Sequence, residues 1–168
     1  MIRQALAVLI SACALMAYSV SAKENSGIGI DSVKGIMIAE PASKVEKQAS
    51  NDLRRFLKML YGVDIPEISN LDGLKDGEAA IILGKATVSA GLVTKDELAK
   101  VSPGGYVIKC GGDRIAIAGA DAWTTYFGMI GFLERLGMRF YLPDSSGTYV
   151  PKVESRNIQP YTVSERPV

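Results

Sequence analysis

The sequence predicts an α+β fold in which two longer helices pack on one face of a mixed, largely antiparallel sheet. Alternating apolar and polar residues over 105–119 indicate two antiparallel strands joined by a turn at Gly111-Gly112-Asp113. From Asp121 the apolar spacing changes from two residues to about 3.6, which indicates a helix. A second helical pattern begins earlier in the chain, after Ser43, and stops at Gly62.

The first of these helices follows a predicted strand over residues 33–39. Ser43 and Glu46 have the spacing of a capping box, in which each side chain accepts a hydrogen bond from the other residue's backbone N–H. Gly62 is suited to the left-handed position that ends a helix, because it has no Cβ. The spacing therefore predicts an amphipathic helix with a defined start and end.

The next segments predict an edge strand, a buried strand and a short helix. Residues 63–68 contain Pro66, which has no N–H to donate and is therefore expected at a sheet edge. Residues 78–84 are apolar without alternation, as in a strand buried on both faces. Thr94 and Glu97 form a second capping box, which predicts a short helix before the hairpin.

The long helix after the hairpin is expected to cover the sheet with one apolar face, formed by Trp123, Phe127, Ile130, Leu133 and Leu136. Gly128 and Gly131 lie within this helix, where each costs about 1 kcal/mol relative to alanine. That cost favours a close approach between helix and sheet. The helix is expected to end at Gly137 and to be followed by a short strand over 138–143.

The N-terminal residues have the features of a secretory signal peptide over 1–22. Arg3 supplies a positive charge, residues 5–17 are apolar, and small residues precede Lys23. Cys13 also fits the pattern for lipoprotein processing, but the apolar run continues beyond it and favours cleavage after Ala22. We therefore expect a secreted or periplasmic protein, with a lipoprotein as the less favoured alternative. The apolar run is too short for a stable membrane span.

The rest of the chain divides into a loose lead-in, one folded domain and a polar tail. The predicted boundaries are 23–32 for the lead-in, 33–151 for the domain, and 152–168 for a linker or tail with no hydrophobic period.

Composition excludes several classes of chemistry. The sequence has no histidine, which excludes a Ser-His-Asp or Cys-His nucleophile and nearly every zinc-hydrolase ligand set. The net charge is +1 and falls to zero without the leader, so we expect no nucleic-acid partner. The only cysteines are Cys13 and Cys110, and Cys110 is expected to be a buried apolar residue. We predict no catalytic residues, no metal site and no cofactor in this chain.

Aromatic residues provide the candidate ligand-binding groups. Aromatic side chains can stack on sugar faces, and several lie near the ends of the long helix: Trp123, Tyr126, Phe140, Tyr141 and Tyr149. Packing in the core or against another domain is the simpler interpretation of most of them, because aromatic side chains dominate cores. The candidate carbohydrate-binding residues are Trp123, Tyr126 and Tyr141, with Trp123 first among them.

Four sequence pieces resemble the small non-catalytic α/β domain that precedes the catalytic barrel in bacterial α-glucuronidases and β-N-acetylhexosaminidases, the second domain of chitobiase included. The pieces are LRRFLKMLYG at 53–62, IILG at 81–84, GYVI at 105–108 with IAIAG at 115–119, and FLERLGMRFYLP at 132–143. The resemblance covers about residues 33–151 and is most specific in the last piece. It implies that catalysis lies on a barrel beginning beyond Arg166-Pro167, which this chain lacks.

Two functions follow as expectations. The first is a non-catalytic accessory domain of an exported carbohydrate-processing glycoside hydrolase, α-glucuronidase-like, that supports a catalytic barrel. An apolar surface facing that barrel would then be exposed in this chain. The second is a stand-alone secreted carbohydrate-binding module. The partner is therefore either the catalytic barrel or an oligosaccharide.

Overall fold

The structure, a computed structural model, describes residues 27–142 and 147–166. The predicted signal peptide and Cys13 lie outside the described residues. The described part of the chain forms the strands β1 (Ile28–Gly29), β2 (Val33–Met37), β3 (Glu67–Ile68), β4 (Ala79–Leu83), β5 (Tyr106–Gly111), β6 (Arg114–Gly119), β7 (Arg139–Phe140), β8 (Thr148–Tyr149), β9 (Asn157–Ile158) and β10 (Tyr161–Glu165). Its α-helices are α1 (Lys44–Tyr61), α2 (Lys85–Ser89), α3 (Lys95–Val101) and α4 (Ala122–Arg135).

Six strands form the central sheet, in the order β10-β5-β6-β4-β2-β3. Strand β5 is antiparallel to both β10 and β6, whereas the pairs β6–β4, β4–β2 and β2–β3 are parallel. Two small antiparallel pairs, β1–β9 and β7–β8, lie outside this sheet. The predicted α+β class with a mixed sheet is therefore confirmed, and antiparallel pairings form the majority over the described residues.

Helix α1 begins and ends where the sequence predicts. The Glu46 N–H donates to Ser43 Oγ over 3.2 Å, and the Ser43 N–H donates to Glu46 Oε2 over 2.8 Å. Gly62 closes the helix with φ = 71°, a conformation that glycine adopts without a Cβ clash. Thr94 and Glu97 form the second predicted capping box at the start of α3. Helix α2 was not predicted from the sequence.

Helices α1 and α4 lie on the same face of the sheet and pack against each other. Helix α4 comes close to the sheet at its glycines: a Cβ on Gly128 would lie 3.1 Å from the Ile117 side chain. One core cluster contains buried residues of both helices and of the sheet face beneath them, among them Leu53, Leu57, Ile81, Ile108, Ile115, Ile117, Met129, Phe132 and Leu133. The two predicted longer helices therefore share one face, as expected.

The opposite face of the sheet is covered by shorter elements. Ala80, Ala116 and Ala118 are small and buried there, so α2, α3 and the loop around Leu92 can approach the sheet closely. None of the described helices combines the length and apolar character needed to cross a bilayer.

The lead-in predicted over 23–32 is wrong for the residues that the structure describes. Ile28 and Gly29 form β1, which pairs with β9, and a 3-10 turn follows over Ile30–Ser32. Ile28 and Ile30 are buried in the main core cluster. Single isoleucines beside small polar residues carry no periodicity, so their burial depends on a partner strand more than a hundred residues away in the chain.

The linker or tail predicted over 152–168 is also wrong, because it contains a strand of the central sheet. Strand β10 pairs with β5 in a register that places Tyr161 opposite Cys110 and Glu165 opposite Tyr106. Tyr161 and Val163 pack against the main core, while Thr162 and Ser164 alternate with them. The five-residue alternation was present in the sequence, but it was too short to count as a hydrophobic period.

Candidate interaction surface

Large apolar side chains are exposed on the outer side of the α1–α4 layer and on the β7–β8 hairpin beside it. We call this set the outer face; its members, with the fraction exposed, are Met59 (50%), Trp123 (61%), Phe127 (51%), Tyr141 (74%), Leu142 (57%) and Tyr149 (54%). Among the described residues these are the large hydrophobic side chains that remain exposed. Since folding normally buries such groups, the outer face is the strongest candidate for an interaction surface.

The prediction that Trp123 and Phe127 cover the sheet is wrong. Helix α4 instead buries a stripe that combines small residues with three larger apolar ones: Thr124, Thr125, Gly128, Met129, Gly131, Phe132 and Leu133. Because the glycines allow close packing on the sheet, the buried stripe passes through Gly128 and Gly131 and does not include Trp123 and Phe127. Trp123 and Phe127 are therefore left on the outward side of the helix, one turn apart.

The start of α4 fixes the position of Trp123. The Thr124 N–H donates to Asp121 Oδ1 over 2.8 Å, and the Asp121 N–H donates to Thr124 Oγ1 over 2.9 Å. Trp123 lies within this capped turn, and its ring meets the Tyr126 ring edge to face, with centroids 6.4 Å apart. The indole is thus held on an ordered helix end while most of its surface faces solvent.

Tyr126 links the two long helices. Its hydroxyl donates to Asp52 Oδ2 on α1 over 2.9 Å, and burial together with the Asp52 carboxylate raises the pKa of Tyr126 to about 12. The same carboxylate accepts hydrogen bonds from Gln48 Nε2 at 2.9 Å and Arg55 Nη2 at 3.0 Å. Asp52 is buried, so these bonds compensate for the loss of its hydration.

The contacts continue from this polar group to the hairpin. The Arg55 guanidinium lies over the Phe56 ring, 4.4 Å from its centroid. Phe56 meets Phe140 of β7 edge to face, with centroids 5.1 Å apart. An unbroken series of contacts therefore runs from Trp123 through the Asp52 group to Phe140 of the hairpin.

The structure places the three predicted carbohydrate-binding residues differently from one another. Trp123 and Tyr141 are exposed, whereas Tyr126 is half-buried and its hydroxyl is bonded to Asp52. Tyr141 directly follows β7, and its N–H donates to Gly147 O, just before β8, over 2.8 Å. Sugar binding by these residues stays a prediction.

Sequence reasoning missed several members of the outer face. Met59 and Leu142 were not singled out, and Phe127 was assigned to the core. The signal for Met59 was available, since it lies off the apolar stripe of α1. No sequence signal distinguishes the exposed Phe127 from the buried Phe132. The side of α4 that faces the sheet depends on which side chains fit against the sheet surface.

Several ionisable side chains of the described residues are engaged in pairs. Glu165 is bonded to Tyr106 and Arg135, and Asp31 to Arg156. Burial raises the pKa of the Cys110 thiol to about 11, so this thiol is protonated at neutral pH. The described residues contain no group of three or more side chains suited to hold a metal ion.

The fold is found within much larger solved proteins. No protein-family model matches this sequence, and no curated protein sequence matches it either. The protein CpGH84D matches with a TM-score of 0.57 and 12% identity, over 85% of this chain and 22% of that protein. BtGH115A, a 4-O-methyl-α-glucuronidase, matches with a TM-score of 0.56 and 15% identity, over 80% of this chain and 17% of that protein.

A mutant β-hexosaminidase from Streptomyces plicatus matches with a TM-score of 0.51 and 14% identity, over 85% of this chain and 24% of that protein. This chain therefore has the fold of one part of these proteins and spans about a fifth of their length. The predicted resemblance to a domain of glycoside hydrolases is confirmed at the level of the fold.

Proposed function

We propose that this chain is a non-catalytic accessory domain of an exported glycoside hydrolase, α-glucuronidase-like, and that its outer face packs against the catalytic barrel. The observation that carries this proposal is the exposure of six large apolar side chains along one side of the molecule. Exposed apolar side chains of this size are typical of a surface that another domain covers.

The structural matches support the same proposal. Each matched protein is several times longer than this chain, and two of them are named as enzymes that act on carbohydrates. The features of a signal peptide over 1–22 support export to the periplasm or out of the cell.

A stand-alone carbohydrate-binding module is the second candidate. It is favoured by the exposed rings of Trp123 and Tyr141, and by the polar Asp52 and Arg55 next to Tyr126, whose ring meets that of Trp123. An aromatic platform with neighbouring planar polar groups suits a sugar, which offers both an apolar face and hydroxyl groups.

Photo-crosslinking in extracts of the source organism tests the docking proposal. A photoreactive amino acid replaces Phe127 on the outer face or, as a control, exposed Lys100 on α3 across the sheet. We expect a covalent product that contains a glycoside hydrolase catalytic domain from position 127 and none from position 100. Equal capture from both positions, or no such product, would overturn the proposal.

Calorimetric titration separates the two candidates. The folded protein and its Trp123→Ala variant are titrated with xylan and chitin fragments. Saturable heat that disappears in the variant would favour the carbohydrate-binding module. No heat from either protein, with both shown to be folded, would favour the accessory domain.

A further inference from the structure

A groove of about 750 Å³ lies on the sheet face opposite to α1 and α4. Its volume is within the range of about 300–1,000 Å³ that is typical of small-molecule sites. The side chains that shape it come from the α2–α3 connection, α3, β5, β6 and β10: Leu92, Glu97, Lys109, Arg114 and Thr162. Because the outer face lies across the sheet, docking there would leave this groove open.

One pair of charges in the groove is already neutralised. Lys109 Nζ lies 2.8 Å from Glu97 Oε1 and also donates to the Leu92 carbonyl over 2.9 Å. The Lys109 hydrogen bond lowers the pKa of Glu97 to about 2, with further help from the Thr94 N–H. Glu97 and Lys109 therefore form one fixed side of the groove, and their opposite charges largely cancel.

Arg114 is the group with unused hydrogen-bonding capacity. Its side chain is 23% exposed. Within the described residues, Arg114 Nη1 donates to the Asp113 carbonyl over 2.8 Å and to the Glu78 carbonyl over 3.4 Å. The same atom lies 3.3 Å from the Asp113 carboxylate. These bonds hold the guanidinium in place and engage neither Nε nor Nη2 within the described residues. Nε and Nη2 form the fork that binds a carboxylate through two parallel hydrogen bonds.

We propose that this groove binds a ligand with a carboxylate group, which Arg114 holds through Nε and Nη2 while Thr162 offers a hydroxyl beside it. The guanidinium is already ordered by the Asp113 and Glu78 carbonyls, so binding costs little side-chain entropy. The same chemistry is offered by an acidic sugar and by a small dicarboxylate. This inference does not depend on the accessory-domain proposal.

NMR titration of ¹⁵N-labelled protein tests the groove, with the Arg114 Nε–Hε signal as the direct reporter. The probes are galacturonate, galactose and succinate. We expect saturable shifts at Arg114 and Thr162 with at least one carboxylate, and none with galactose. Shifts with galacturonate alone identify an acidic sugar as the source of the carboxylate, and shifts with succinate identify a dicarboxylate.

Variants locate the binding. Arg114→Gln is expected to weaken binding about tenfold or more, because it removes a charge-assisted bidentate contact. Arg166→Gln, at an exposed position away from the groove lining, is the matched control and is expected to bind as the wild type does. If Arg114→Gln does not fold, Thr162→Val provides a milder change, expected to weaken binding by a smaller factor. Equal affinity in the wild type and in the folded groove variants, or no shift with any carboxylate, would overturn the proposal.

Discussion

The Glu97 carboxylate is bound both by the cap of its own helix and by Lys109, and this predicts a pH-dependent stability. Its pKa lies at about 2 in the folded protein, against 4.5 for the unperturbed group. The unfolded state therefore binds the proton more readily, and the stabilisation is present above pH about 4.5 and is lost as the pH falls towards 2.

Thermal unfolding of the wild type and Glu97→Gln from pH 2 to pH 7 measures this effect. We expect the variant to be less stable at pH 7 and the difference to shrink below pH 4.5. Asp96→Asn, on an exposed neighbour in the same helix turn, is the control. A difference that stays constant over the whole range would contradict the prediction.

Gly131 shows how a residue with poor helix propensity can be the best choice. A Cβ at this position would overlap the Tyr106 hydroxyl, which is itself bonded to Glu165. Gly131→Ala gains about 1 kcal/mol of helix propensity, but overpacking costs about 1–3 kcal/mol. We expect a net destabilisation, measured by urea unfolding.

The double variant Gly131→Ala with Tyr106→Phe identifies the cause. Removing the hydroxyl takes away the closest contact and leaves the ring carbon Cζ at 2.9 Å, so the cost of Gly131→Ala is expected to be smaller in the Tyr106→Phe background. Equal costs in both backgrounds would show that the overlap with Tyr106 is not responsible.

Strand β10 is part of the central sheet, although its sequence gives little indication of a strand. It completes the antiparallel pairing of β5 and places Tyr161 and Val163 against the core. A chain that ends after Gln159 loses this ladder and uncovers the edge of β5. We expect its free energy of unfolding to fall by about 3 kcal/mol or more, from lost hydrogen bonds and apolar burial.

A chain that ends after Glu165 is the matched control, because it keeps β10. Circular dichroism during urea unfolding compares the two. If the shorter chain were as stable as the control, residues 160–165 would behave as the linker that the sequence indicated, and the pairing with β5 would be without energetic consequence.

Prediction from sequence succeeded at the elements where the determining contacts are local. The capping boxes at Ser43 and Thr94 and the turn after β5 depend on residues two to four positions apart, so the pattern alone locates them. Strands β1 and β10 depend on partners far away in the chain. Their short apolar patterns do not predict a strand unless the partner strand is known.

At the scale of the whole molecule, the sequence identified the aromatic candidates but not the surface that they form. Trp123 and Tyr141 were recognisable by residue type alone. Which side of α4 faces outward depends on how Gly128 and Gly131 meet the sheet. The Arg114 groove combines residues from α3, β5, β6 and β10, and it could not be predicted while residues 152–168 were interpreted as a tail.

We propose the outer face as a surface for another domain, so we expect its residues to contribute to association and little to the stability of the fold. The double variant Trp123→Ser with Phe127→Ser changes exposed positions, so the free energy of unfolding is expected to change by no more than about 0.5 kcal/mol per site. Binding of a hydrophobic dye and self-association in sedimentation velocity should both decrease. Leu133→Ser, at a buried position of the same helix, is the contrasting control and is expected to destabilise by more than about 2 kcal/mol. If the double variant unfolded as readily as Leu133→Ser, the outer face would be part of the folding core of this chain rather than a surface for a partner.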